Sequence, residues 1–426
     1  MSEADKNLHC SFCAKNAQEV KKLIAGPNVY ICDECVDLCY SILSADGGKP
    51  VGTTVSTNPT ASELDLIPSP SKIKAHLDNY IIGQDYAKMV VSVAVHNHYM
   101  RLAHPTVDDV EIEKSNILVF GPTGSGKTLI AQTIAKFLDV PFAMADATSL
   151  TEAGYVGDDV ESILTKLLQS AGGDVAKAER GIVYIDEIDK KQKKEGGSGS
   201  KDVSGEGVQQ ALLKILEGAE ILVPASGGKK NAQSEMVKMN TKNVLFVVGG
   251  AFVGLDKVVA KAMNKNKGIG FGSTLEVEKE VNDVLRHTQP EHLVQFGIIP
   301  ELIGRLPVHA PLDELTAPQL VKVLTEPKNA IIKQYTKMFK LEGMILEFTP
   351  EALDEVAKLA KTRKTGARGL RSVIESKLIH TQFKLPELKE SGVTKIVITK
   401  EVITDSAEPL HVSEAAAVPT PTPNVA

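Results

Sequence analysis

The 426-residue chain has no tryptophan, and its aromatic residues amount to only 4%. Base-stacking nucleic-acid platforms depend on exposed rings, so that class is disfavoured. A basic excess is missing too: 48 Lys and Arg stand against 54 Asp and Glu, a net charge of −6. Duplex binders neutralise phosphates with clustered cations, and this composition carries no trace of that. Long apolar runs are absent. The longest, residues 244–255, contains three glycines, whereas a membrane span needs roughly 18 apolar residues. Residues 1–9 carry acids and no apolar stretch, so a signal peptide is not expected, and the expected location is cytoplasmic. No HExxH and no Ser/His/Asp arrangement is found, so peptide cleavage is not expected of this chain.

Cysteine is confined to the first 39 residues. Cys10 and Cys13 form one CxxC hook, Cys32 and Cys35 a second, with 18 residues between them. Two such hooks place four thiolates around one ion, and the spacing predicts a closed, structural zinc site. About 40 residues hold too little core to fold alone, and structural zinc contributes about 10–16 kcal/mol to such segments. Cys39, one helical turn on, reads as a small buried apolar residue. His9 is a weaker competing ligand.

Composition divides the chain. Residues 1–43 form the expected zinc-binding domain. Residues 44–71, rich in Gly, Pro, Ser and Thr, read as a flexible linker. From residue 72 to 312 short apolar runs (116–120, 182–185, 244–248) alternate with helical patterns such as 127–138. That alternation predicts an α/β fold with a mostly parallel sheet. Residues 313–404 read as a smaller, mostly helical subdomain, with a strand signal returning only at 395–398. Residues 405–426 read as a disordered tail.

The 121–128 segment, Gly-Pro-Thr-Gly-Ser-Gly-Lys-Thr, matches GxxxxGKT completely, after a strand and before a helix, the context this phosphate-binding loop requires. Its glycines let backbone N–H groups converge on phosphate oxygens at a helix N-terminus. Pro122, Thr123, Gly124, Ser125, Gly126, Lys127, Thr128 and Leu129 are the expected nucleotide contacts. Lys127 would reach the β- and γ-phosphates, and Thr128 would ligate Mg²⁺. A second apolar strand ends in Asp186 and Glu187. Beside a phosphate-binding loop, Asp186 would face the Mg²⁺ shell and Glu187 would polarise the attacking water. Together these imply ATP hydrolysis. Arg305 and Arg368 are candidate cations for the developing charge, although spacing alone leaves either as an ordinary surface residue. The run Lys190, Lys191, Lys193, Lys194 reads as a solvated loop face.

The four-cysteine module, the phosphate loop, Asp186-Glu187 and the Gly-Ala-Arg368-Gly-Leu-Arg segment together resemble the AAA+ P-loop NTPases, and among them the ClpX family of Clp protease unfoldases. The resemblance covers residues 8–43 and 72–404. It implies a homo-hexamer that unfolds tagged or unfolded protein substrates, brought by adaptor proteins, and threads them into a ClpP peptidase. It makes Arg305 a finger reaching the neighbouring subunit's ATP and Arg368 a sensor for ATP in its own subunit. Ile81 and Ile82, and more weakly the region of Leu324 and Ile332, would hold the adenine. Tyr155 and Val156, between Gly154 and Gly157, would grip substrate in the pore. Residues 196–205 resemble a second pore loop. Ile269, Gly270 and Phe271 resemble the peptidase-docking loop.

Departures from the family are visible. Residues 227–231 read Gly-Gly-Lys-Lys-Asn where Arg-Lys-His is usual at the pore entrance. Lys191 stands at a usually apolar position, and Lys201 replaces Arg. The strand at 244–250 ends in glycines, so no sensor residue is assigned there. Two competing readings are a nucleic-acid motor on the same core, which the charge balance disfavours, and a non-enzymatic zinc adaptor, which intact Lys127, Asp186 and Glu187 oppose.

Overall fold

The computed structural model describes residues 9–16, 20–26, 29–36, 38–39, 67–104, 110, 112–151, 158–193, 205–225, 236–265, 284–363 and 365–413. Tyr155, Val156, residues 196–204 with Lys194 and Lys201, residues 227–231, and Ile269, Gly270 and Phe271 lie outside these. The chain divides into two compact units, residues 1–60 and 61–426.

In the first unit, β1 (Leu23–Gly26) and β2 (Val29–Cys32) pair antiparallel. The core consists of Cys10, Cys32 and Cys35, with Val20, Leu23 and Ile31 half-buried around them. So little apolar surface cannot offset chain entropy without a further constraint.

The second unit opens with α1 (Pro70–Asp78), whose proline at the helix start needs no N–H partner there. Then come α2 (Asp85–Ala103), β3 (Ile117–Phe120), α3 (Lys127–Leu138), β4 (Phe142–Asp146), α4 (Ser162–Ser170), β5 (Ile182–Asp186), α5 (Glu206–Glu217), β6 (Leu245–Gly250), α6 (Pro290–Phe296), α7 (Pro300–Gly304) and β7 (Val308–Pro311). The five strands form a parallel sheet in the order β7-β3-β6-β5-β4. Strand side chains alternate between two cores. Leu118, Phe120, Val183, Ile185, Phe246 and Val248 pack on one face with α4 and α5. Ile117, Val119, Ile182, Tyr184, Leu245 and Val247 pack on the other with α1, α2 and α3. Burial on both faces explains why these strands read as unbroken apolar runs.

The smaller part comprises α8 (Ala317–Thr325), α9 (Ile331–Leu341), β8 (Ile345–Phe348), α10 (Pro350–Thr362), α11 (Ala367–Phe383), β9 (Val393–Ile398) and β10 (Leu410–Ser413). It has its own core, including Leu320, Leu324, Phe339, Val356, Leu370 and Ile396. Two strands add to what was expected. One lies inside the stretch read as mostly helical, which is otherwise so: β8 pairs in parallel with β9. The tail read as disordered from residue 405 contains β10, which pairs antiparallel with β9. Both strands sit at the edges of a three-stranded sheet, and pairing with β9 supplies what their four-residue patterns do not signal. No helix among the described residues is long and apolar enough to cross a membrane.

Candidate functional site

In the first unit the four cysteine sulfurs of Cys10, Cys13, Cys32 and Cys35 all lie within 4.8 Å of one another, with Cys13 and Cys32 3.6 Å apart. A tetrahedral zinc with Zn–S near 2.3 Å sets its sulfurs roughly 3.8 Å apart, so the cradle has the right size. Burial opposes ionisation of Cys10, yet amides of Cys13, Phe12 and Cys32 facing its sulfur hold the thiol down at about 6. The neighbouring Cys13 thiol, together with burial, pushes Cys35 well up. Four sulfurs crowded in this way are reconciled by one shared cation. Cys39 is half-buried and His9 exposed, and neither belongs to the cluster.

The second site begins where β3 ends. Gly121, Gly124 and Gly126 adopt left-handed backbone with φ of 147°, 78° and 104°, which L side chains rarely tolerate. Lys127, only 9% exposed, donates to the carbonyls of Gly121 (2.7 Å) and Pro122 (2.9 Å). Burial lowers its pKa to about 8, against the opposing charge of Asp186. The Ser125 hydroxyl is buried without a hydrogen-bond partner in the structure. A turn of glycines, a confined ammonium and an unpartnered hydroxyl suit an anionic phosphate chain.

β5 runs beside β6 and delivers its carboxylates to the same end of the sheet. Thr128 donates to Asp186 Oδ2 at 3.2 Å, while the Tyr184 hydroxyl (3.1 Å) and the Glu187 amide (2.9 Å) donate to Oδ1. Both oxygens of Asp186 are thus fixed beside Thr128, a donor set suited to Mg²⁺. Glu187 is held at φ 59°, a strained conformation of the kind that clusters at working sites.

A cleft of about 510 Å³ lies between the two parts of this unit, lined by residues from Pro122 to Ser125, Ala251 to Gly254, Leu285, Leu315, Leu320 and Gly366. Here α11 abuts the phosphate loop. The Ala367 amide donates to Gly124 O at 3.2 Å, and a Cβ on Gly366 would stand 2.7 Å from Thr123 O. Arg368, the next residue, is close enough for its charge to oppose protonation of Lys127. Arg305 lies elsewhere. Its carbonyl is bound by Asn116 (2.9 Å), just before β3, and its guanidinium pairs with Glu217 (2.9 Å). The four residues of β3 separate Asn116 from the loop, roughly 13 Å of strand. The same subunit therefore does not bring Arg305 to its own phosphates. Ile81 is buried beneath Gly126 and Ile82 half-buried. Leu315 and Leu320 line the cleft, whereas Leu324 is buried in the smaller core.

The sequence reading missed three residues. Gln84 is 3% exposed and grips Ser125 O (3.3 Å) together with the O and N of Asp313 (2.8 and 2.7 Å), tying the loop to the start of the smaller part. Gln84 ends the 80–84 segment, which was read only for Ile81 and Ile82. Tyr184 lies across Gly249, where a Cβ would overlap its hydroxyl. The glycines ending β6 make room for a polar group supplied by β5. Asp189, 4% exposed, accepts from the Ala251 amide at 3.0 Å. One expectation is overturned: Lys191 is 7% exposed and not part of a solvated face.

Comparison with known families agrees with this layout. Residues 8–45 match the ClpX C4-type zinc finger, residues 112–309 the AAA domain (Cdc48 subfamily), and residues 315–389 the C-terminal, D2-small domain of ClpB protein. The AAA match spans the phosphate loop and both carboxylates and marks an ATPase, and the zinc finger in front of it is of one particular type. The chain is a ClpX-like AAA+ protein.

Proposed function

We propose that this ATPase is a protein unfoldase and translocase, working as a homo-hexamer that threads tagged or unfolded proteins into a ClpP-type peptidase. The observation that carries the reading is the cleft built from both parts of the second unit, with Arg368 beside the phosphate loop and Arg305 far from it. Nucleotide in that cleft touches both subdomains, 72–312 and 313–404, so cleaving it would move one against the other. Lys127 binds the β- and γ-phosphates. Thr128 and Asp186 would hold Mg²⁺, whose charge would offset that of the phosphates. Glu187 orients the attacking water, Arg368 acts within the subunit, and Arg305 reaches the neighbour's nucleotide. A finger supplied from a neighbour is worth about 10³–10⁵ in rate, which makes the ring the working unit. Ile81 and Ile82 hold the adenine.

The family resemblance supplies the remaining assignments. Tyr155 and Val156 grip substrate, Ile269, Gly270 and Phe271 dock the peptidase, and the zinc module recruits substrates or adaptors. The test is one degradation assay containing this protein, ATP, a ClpP ring and a folded, tagged client. Omitting any one component should stop degradation. Tyr155→Ala should keep ATPase activity and lose degradation of stable clients. Phe271→Ala should lose degradation yet keep unfolding. ATP turnover that leaves every folded client intact would refute the proposal.

A further inference from the structure

The lysines after Glu187 have different surroundings. Lys190 and Lys193 are exposed and pair with Asp189 (3.3 Å) and Glu206 (3.0 Å). Lys191 points inward from the end of the 3₁₀ turn Ile188–Lys191, and its ammonium donates to Leu150 O at 3.0 Å and Thr148 O at 3.3 Å. These carbonyls belong to the stem that leaves β4. Asp146 caps that stem through the Thr148 amide (2.8 Å), and Leu150–Thr151 pairs with Asp158–Asp159. On the main-chain side, Lys191 O accepts from Gln209 Nε2 at 2.6 Å. Gln209 is fully buried, and its amide group also meets Gly297 O (3.2 Å) and Ile299 N (2.9 Å), just before α7.

Lys191 therefore joins three segments: the turn capped by Glu187, the stem 148–150, and, through Gln209, the approach to Arg305. A buried ammonium is costly unless it is hydrogen-bonded, and bonds from a charged donor are stronger than neutral ones. An apolar side chain here would fill the space without tying the stem to the turn.

We propose that Lys191 is a positioning residue that transmits load on the 148–150 stem to the turn holding Glu187, so that a gripped polypeptide alters the rate of hydrolysis. This rests on the reading that the sequence following the stem grips substrate. The turn is short, four residues of roughly 2 Å rise each, so displacement of the stem carbonyls reaches Glu187 with little slack.

The test measures ATP turnover by the full-length assembled chain, with and without a permanently unfolded, carboxymethylated protein. Lys191→Met should lower the ratio of stimulated to basal turnover by roughly 3- to 10-fold, in the range that coupling residues produce. Lys191→Arg, which keeps charge and reach, should restore most of the ratio. A merely structural role would lower both rates and the melting temperature together and leave the ratio at its wild-type value; that result overturns the proposal. Wild-type protein indifferent to the unfolded polypeptide would sink the gripping reading itself, and this inference with it. Lys191→Leu carries the same comparison if Lys191→Met does not fold.

Discussion

His98 shows how burial fixes the state of a single residue. It is 3% exposed, and its Nε2 lies 3.1 Å from Asn243 O. Burial, aided by the charges of Arg101 and Lys114, lowers its pKa to about 3. The unfolded chain takes up a proton on this ring near pH 6.5, whereas the folded one does not. The stability this group contributes is therefore fully present above pH 6.5 and is lost as pH falls toward 3, by up to ~1.4 kcal/mol per pH unit. Melting curves of the wild type and His98→Gln between pH 7 and 5 should show the steeper decline in the wild type. Parallel declines would contradict it.

At the scale of elements, the contact between α11 and the phosphate loop joins the smaller part of the second unit to the candidate nucleotide site. Gly366, which caps α11, has φ 55° and ψ −145°, a region essentially reserved for glycine. A Cβ there would also press on Thr123 O. Gly366→Ala should therefore push α11 off the loop, costing about 1–3 kcal/mol of strain. Titration with a fluorescent ATP analogue should show affinity reduced by roughly tenfold or more, the equivalent of ~1.4 kcal/mol. Unchanged affinity would mean that α11 does not support the nucleotide site.

For the whole molecule, the proposal that Arg305 serves a neighbouring subunit's nucleotide predicts a complementation between variants. Arg305→Ala and Glu187→Gln subunits should each be nearly inactive alone. Mixed in one ring, a site with intact Glu187 can receive Arg305 from the adjacent Glu187→Gln subunit, so part of the ATPase activity should return. Mixtures as inactive as their components would place Arg305 outside the catalytic unit.

The sequence by itself determined the zinc cradle, the phosphate loop and the paired carboxylates, because each depends on residue types at short, fixed spacing. It also determined the three central strands of the sheet, since β3, β6 and the first four residues of β5 carry no polar side chain but the Tyr184 hydroxyl, whereas the outer strands β4 and β7 gave no such signal. Tertiary structure alone decided the rest. Gln84 meets Asp313 across 229 residues of chain, and Tyr184 occupies space that Gly249 leaves open. Lys191 looked like one of a run of surface cations until its ammonium was found against Thr148 and Leu150. β10 became a strand through its pairing with β9. Local pattern encodes what a few neighbouring residues can do, whereas burial and long-range hydrogen bonds exist only after distant segments have packed.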